Sequence, residues 1–259
     1  MELQDKIVVI TGAGSGIGRA LAVRFHAQGA KKIVAVDINL RNAQDTADMV
    51  HGIAMMADVA KEDDICRVIE ETEAKVGAID LFCSNAGVAI GESIDSPNSE
   101  WQASWDINVM SHVYAARHLV PRMVARGGGY FLNTSSAAGL LNQIGGAAYG
   151  VSKHAAVGFG EWLAIHHKHE GIKVSMLCPQ AVRTPMTAMD NEAIAAAASN
   201  GMIEPEELAN CVIEALRKES FLILPHAIVL EYIRNKTTHY DRWIGGMNKL
   251  MRHIMGISK

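Results

Sequence analysis

Lys6-Ile7-Val8-Val9-Ile10-Thr11-Gly12-Ala13-Gly14-Ser15-Gly16-Ile17-Gly18 decides how the rest of the chain is read. Ile7 to Ile10 are apolar without alternation, as in a strand covered on both faces within a parallel sheet. Gly12, Gly14, Gly16 and Gly18 follow, and then Ile17, Ala20, Leu21 and Phe25 recur at helical spacing. A strand, a tight glycine turn and a helix bring backbone close to a ligand and point the helix's first N–H groups and positive dipole end at a pyrophosphate. The pattern is TGxxxGxG rather than the usual GxGxxG, because Arg19 stands three residues past Gly16. A glycine-rich turn with no ligand is the alternative; the strand before, the helix after and an acid ending the next strand favour a nucleotide.

Outward from this turn the same alternation repeats. Ile33–Val36, Ile53–Met56, Ile79–Cys83, Tyr130–Leu132, Val174–Cys178 and Phe221–Leu224 read as six more strands. The segments between them carry helical spacing (Ile65, Val68, Ile69, Thr72, Val76), with Gly29, Gly77 and Gly171 at expected helix ends. Seven strands alternating with helices predict a doubly wound, Rossmann-type α/β domain over 1–259, a seven-stranded parallel sheet flanked by helices. Ligands of such sheets bind beyond the carboxyl ends of the strands. There stand Asp37 after strand two, Asp58 after strand three and Asn85-Ala86-Gly87 after strand four. A carboxylate at Asp37, 19 residues past Gly18, can accept ribose hydroxyls and repels a 2′-phosphate, which favours NAD over NADP. Asp58 can receive an adenine amino group. Helix capping is the alternative for both acids, and a plain turn is the alternative for Asn85–Gly87.

The 259-residue chain is 49% hydrophobic and 20% charged, with 24 Lys+Arg against 28 Asp+Glu, a net charge of −4 with His neutral. That balance argues against disorder and lacks the basic footprint of a nucleic-acid binder. No apolar run approaches the roughly 18 residues of a membrane span, and Met1–Asp5 lacks the basic start of a signal peptide. Cytoplasmic localisation is therefore expected. Cys66, Cys83, Cys178 and Cys211 form no CxxC pair and no zinc spacing. His166-His167-Lys168-His169 reads as cations at a helix C-terminus, and no metal is expected.

Tyr149-Gly150-Val151-Ser152-Lys153 heads a helix predicted to run to about His169, with Tyr and Lys on one face at i, i+4. A nearby ammonium lowers a phenol's pKa from about 10 toward useful acid–base chemistry; a surface pair is the alternative. Ser136 lies just past strand five, 13 residues before Tyr149, where its hydroxyl could share a substrate oxygen with the phenol. In order, Thr11-Gly12-xxx-Gly16-x-Gly18, Asp58, Asn85-Ala86-Gly87, Asn108, Ser136, Tyr149-xxx-Lys153 and Pro179 with Thr184 resemble the short-chain dehydrogenase/reductases along nearly the whole chain.

The resemblance implies hydride transfer between a nicotinamide cofactor and a substrate carbon. Tyr149 would be the general acid–base and Ser136 would hold the substrate oxygen. Lys153 would lower the Tyr pKa and bind the nicotinamide ribose, while Asn108, in the helix before strand five, would hold a water in a proton relay. Ser15, Ile17 and Val59 join the cofactor contacts, and Val182 and Thr184 grip the carboxamide. Two positions depart from the family pattern: Gln180 replaces the Gly after Pro179, and Ser84 stands where a second Asn is usual.

In this family the segment at about 185–204 is a lid. Met186, Met189, Ala193–Ala198 and Met202 make it mostly apolar, and Leu140, Leu141, Ile144, Val88, Gln180 and Ser136 are expected around the same pocket. An apolar ketone or secondary alcohol follows, with oxidation the favoured direction. The tail at about 226–259, with Tyr232, Tyr240, Trp243, Met247, Leu250, Met251 and Ile254, is expected to pack near the lid or across a subunit boundary, where it could help close the substrate site. Relatives are commonly tetramers, so a homo-oligomer, tetramer or dimer, is expected through the helix bearing Ala155, Val157, Phe159, Trp162 and Leu163. A non-catalytic dinucleotide sensor of the same fold is the competing class, and the intact Ser–Tyr–Lys–Asn set weighs against it.

Overall fold

The computed structural model describes residues 1–188 and 192–257. Its strands are β1 (Ile7–Thr11), β2 (Lys32–Asp37), β3 (Ile53–Met56), β4 (Leu81–Ser84), β5 (Gly129–Thr134), β6 (Ile172–Leu177) and β7 (Leu222–Ile223). They form one parallel sheet in the order β3-β2-β1-β4-β5-β6-β7. Strand order reverses between β1 and β4, so the switch point lies above the glycine turn. β7 is shorter than the sequence predicts: Pro225 follows closely and β7 is an edge, where proline is tolerated.

The helices are α1 (Gly16–Ala27), α2 (Leu40–Met49), α3 (Glu62–Lys75), α4 (Asn98–Trp105), α5 (Ser111–Ala125), α6 (Ala138–Leu141), α7 (Ala147–His167), α8 (Glu192–Ala197), α9 (Pro205–Lys218), α10 (Ile228–Thr238) and α11 (Tyr240–Ile254). Side chains alternate across each strand, so two cores form. On one face Val8, Ile10 and Ile33 pack against Leu21 and Phe25 of α1 and Leu208, Val212 and Leu216 of α9. On the other, Val9, Phe82 and Phe131 meet Ile65 and Ile69 of α3, Leu119 and Met123 of α5 and Leu163 of α7. Cys83 and Cys178 are buried as small hydrophobes.

Two features differ from the sequence expectation. Asn108 lies in a π-helical turn, Asp106–Met110, that interrupts the helix before β5. Such bulges re-aim side chains and recur at functional sites. α7 ends at His167, followed by a 3₁₀ turn to Glu170. There the His166 ring stacks on Trp162 and His167 pairs with Glu170.

Candidate active site

The site is built on the glycine turn. Gly12 has φ +63°, and a Cβ on Gly18 would lie 2.2 Å from the Gly12 carbonyl oxygen, so only glycine lets α1 start this close to β1. Ser15 is the N-cap of α1, yet its side chain makes no cap hydrogen bond and the first turn holds no acid. The opening N–H groups of α1 are therefore free of side-chain partners, a ready anion site. Arg19 is tied back to the Gly14 carbonyl and to Thr46 Oγ1, the latter at 3.0 Å. Thr11 Oγ1 accepts from the Asn85 and Ala86 N–H groups at 3.0 and 3.2 Å, which clamps β1 to the turn after β4.

The capping alternatives for the two acids do not hold. Asn39 caps α2, accepting from Arg41 and Asn42. Asp37 instead accepts from Gly14 N at 2.9 Å and Asn39 N at 3.0 Å, one bond to each oxygen, leaving lone pairs on both. Lys61 is the N-cap of α3, and Asp58 accepts from Ala60 N at 3.1 Å. Lys32 reaches the His51 carbonyl at the opposite end of the sheet, and Arg41 is exposed.

One groove of about 380 Å³ joins these parts. Gly12, Ser15, Gly16, Ile17, Asp37, Asp58, Val59, Asn85, Ala86, Gly87, Tyr149, Lys153, Pro179, Val182 and Thr184 all line it. Gly18 does not; it is buried beneath, where its role is the close approach to Gly12. Thr184 packs over Gly16, whose Cβ would lie 3.0 Å from Thr184 Cγ2, so the loop after β6 closes onto the cradle.

A second cavity, of about 330 Å³, opens beside the groove, and Ser136, Tyr149, Gln180, Met186 and Thr187 line both. Leu141 and Ile144 line this cavity as expected. Leu140 does not: it packs on the buried cluster of Ala137, Leu141 and Val229 and on that of Val157, Met176 and Cys178, and its carbonyl accepts from Lys236 Nζ. Neighbouring residues of the short α6 point to different sides, so Leu141 faces the cavity and Leu140 the core beneath β6. Val88 lines the groove on the glycine turn instead. Met189 lies outside the described residues. Tyr232, Trp243, Met247 and Leu250 of the tail, expected near the lid where they could help close the substrate site, form part of the cavity wall with Ala193, Ile194 and Ala197 of α8. Their apolar spacing in the tail was the available signal, but nothing local said which face they cover. Gln143, which sequence reasoning missed, donates to the Ala193 carbonyl at 2.8 Å and ties α8 over the cavity.

At the junction, Ser136 Oγ accepts from Ala138 N at 3.1 Å and stands close enough to the Tyr149 phenol to pull its pKa down. Burial outweighs that pull and holds the phenol above its ordinary value. Lys153 Nζ lies 5.7 Å from the Tyr149 ring centroid and donates to the Thr134 carbonyl at 3.2 Å; burial pushes it down to about 8. The predicted lowering of the phenol by Lys153 is not what this site shows: burial raises the phenol, and the group that pulls it down is Ser136. Asn108 is fully buried: Oδ1 accepts from Val88 N at 2.9 Å, and Nδ2 donates to the Val88 carbonyl and Ser152 Oγ, each at 3.0 Å. Gly87 lets Asn108 and Lys153 approach, since a Cβ there would lie 3.1 and 3.2 Å from their side chains.

Residues 6–195 match the short chain dehydrogenase family. The chain is 33% identical to a 1-deoxy-11-beta-hydroxypentalenate dehydrogenase of Streptomyces exfoliatus over 88% of this chain and 85% of that protein. It is 30% identical to a cyclohexanol dehydrogenase of Acinetobacter sp. (strain SE19), covering 89% and 95%. A short chain dehydrogenase/reductase of Burkholderia phymatum, solved in complex with NAD, superposes with a TM-score of 0.84 at 27% identity, covering 93% of this chain and 96% of that one. A doubly wound sheet, a glycine cradle at its switch point and these similarities agree: the chain belongs to the short-chain dehydrogenase family.

Proposed function

We propose that this protein is an NAD-dependent dehydrogenase that interconverts a secondary alcohol and a ketone on a neutral, apolar substrate, with oxidation the favoured direction. The observation that carries this reading is the shared wall: Ser136 and Tyr149 line both the glycine-based groove and the apolar cavity. A dinucleotide fits the groove, given the uncapped start of α1 and the lone pairs left on Asp37.

Gly12, Ser15, Gly16 and Ile17 would cradle its pyrophosphate over the buried Gly18, Asp37 would hold its adenosine ribose, and Asp58 with Val59 its adenine. Asn85–Gly87, Lys153, Pro179, Val182 and Thr184 would hold the nicotinamide half. When bound, the cofactor supplies the hydride acceptor or donor. Ser136 and Tyr149 hold the substrate oxygen; Tyr149 takes its proton in oxidation and returns it in reduction. Lys153 and Asn108 carry the proton onward. Asp37 favours NAD because a 2′-phosphate would meet its carboxylate.

No Lys, Arg or His lines the cavity, and Glu92 is its one carboxylate among the described residues, which disfavours acidic or phosphorylated substrates. The two relatives, a cyclohexanol dehydrogenase and a 1-deoxy-11-beta-hydroxypentalenate dehydrogenase, are in keeping with an alcohol substrate. Exposed Val151, Trp162 and Ile165 on α7 favour a homo-oligomer through that helix. The test is reduced-nicotinamide absorbance with NAD and with NADP against cyclic, aromatic and steroidal secondary alcohols. Turnover with NAD supports the reading; NAD binding without turnover on any of them would favour a dinucleotide sensor.

A further inference from the structure

Behind Lys153 lies a polar cluster that the chemistry above does not use. Ser84 and Asn133 are register partners on β4 and β5, and each projects two residues beyond a phenylalanine, Phe82 and Phe131, of the core that α5 covers. His112, in the first turn of α5, faces Asn133. The three residues are 3%, 1% and 2% exposed. Ser84 Oγ, both amide atoms of Asn133 and both ring nitrogens of His112 have no hydrogen-bond partner in good geometry. So many buried polar atoms in one place are not packing filler; interiors satisfy such groups with each other or through ordered water.

The His112 ring faces the Asn133 amide on one side and the Asn108 main-chain carbonyl on the other, and it feels the Lys153 charge. Burial and that charge push His112 down to about 3, so the ring is neutral near pH 7 and carries one N–H and one acceptor nitrogen. The charged group that bears on it is Lys153 of α7. Ser84 of β4, Asn133 of β5 and Asn108 of the π turn do not titrate.

We propose that His112 is a positioning residue of the proton relay: its ring, set between Asn133 and the Asn108 carbonyl, holds that turn in place and supplies the polar surroundings that keep Lys153 charged beside Tyr149. This rests on the reading of Tyr149, Lys153 and Asn108 as the relay. An apolar ring in its place deepens the desolvation of Lys153, moves Lys153 toward its neutral form and weakens its hold on the phenolate. The apparent Tyr149 pKa then rises.

The experiment is an ultraviolet difference titration of the Tyr149 phenolate in the full-length, NAD-saturated protein, with Tyr149→Phe in the same background as the blank. His112→Phe is expected to raise the apparent pKa by about half a unit or more. His112→Gln, whose amide also donates and accepts, is expected to stay within about 0.2 units of the parent. Asn133→Leu, which withdraws the brace from the other side, is expected to shift the same way as His112→Phe and serves if that variant does not fold. A folded His112→Phe or Asn133→Leu that titrates like the parent overturns the proposal, as does a His112→Gln shift equal to that of His112→Phe. Turnover of cyclohexanol retained by Tyr149→Phe would instead remove the underlying reading; a dead Tyr149→Phe with no His112 shift removes the inference alone.

Discussion

The floor of the site and its roof are built by opposite means. The floor, from the glycine turn to Lys153, rests on buried strands and close backbone contacts, where the Gly18 position has no room even for a methyl group. The roof is α8, α10 and α11, and α11 has no buried residue at all. It is held by the Tyr232–Trp243 ring contact at 6.1 Å, the Gln143–Ala193 bond and Lys236 on the Leu140 carbonyl. A floor of this kind specifies residues one by one, whereas a roof of this kind specifies only apolar character. Reaction and cofactor are expected to follow the floor, and substrate choice the roof.

The largest effect expected from breaking the floor is at Tyr149. Tyr149→Phe should lower kcat by about 10³-fold or more, within the range of lost acid–base catalysis, while NADH fluorescence titration gives an unchanged Kd. The next test is pH. Burial raises the phenol, so the phenolate is scarce at pH 7; oxidation should speed up by up to about tenfold per pH unit above neutrality, and reduction should slow, in initial-rate profiles. Gly18→Ala should then cost about 1–3 kcal/mol in urea unfolding through overpacking, with dinucleotide affinity falling alongside. Asp37→Ala should narrow the NAD over NADP preference by about 10-fold or more in kcat/KM, the scale of a hydrogen bond to a charged group. An unchanged preference would leave Asp37 as a brace for Gly14 and Asn39 alone. The smallest effect sharpens the contrast from the roof side. Leu250, 38% exposed, lines the cavity. Leu250→Ala should raise KM for a bulky apolar alcohol about 5-fold, with Tm and NADH affinity unchanged. A loss of NADH affinity there would merge roof and floor.

The same contrast explains what could be read from sequence. The turn Thr11–Gly18, Asp37 and Tyr149–Lys153 were legible because backbone proximity and side-chain chemistry restrict each position separately, and all but Gly18 of the expected cofactor contacts line one groove. The places of the strands along the chain were legible because most are continuously apolar, as buried parallel strands are. Leu140 was misplaced because a four-residue helix offers no periodicity from which to assign faces. The π turn at Asn108 was invisible since it changes hydrogen bonding without changing residue pattern. For Trp243, Met247 and Leu250 the sequence left two places open, the substrate site near the lid or a subunit boundary, because an amphipathic helix does not encode which neighbour it covers. His112 carried no sequence signal; its unpartnered nitrogens emerge only once α5 is laid over β4 and β5.

The most direct test of the account follows reduced-nicotinamide absorbance in parallel reactions of the parent protein and Tyr149→Phe, with cyclohexanol and NAD at the same protein concentration. The account predicts a steady rise for the parent and a flat trace for the variant, with NADH bound equally by both. Equal rates from the two proteins would contradict it, since Tyr149 would then not be the group that moves the proton.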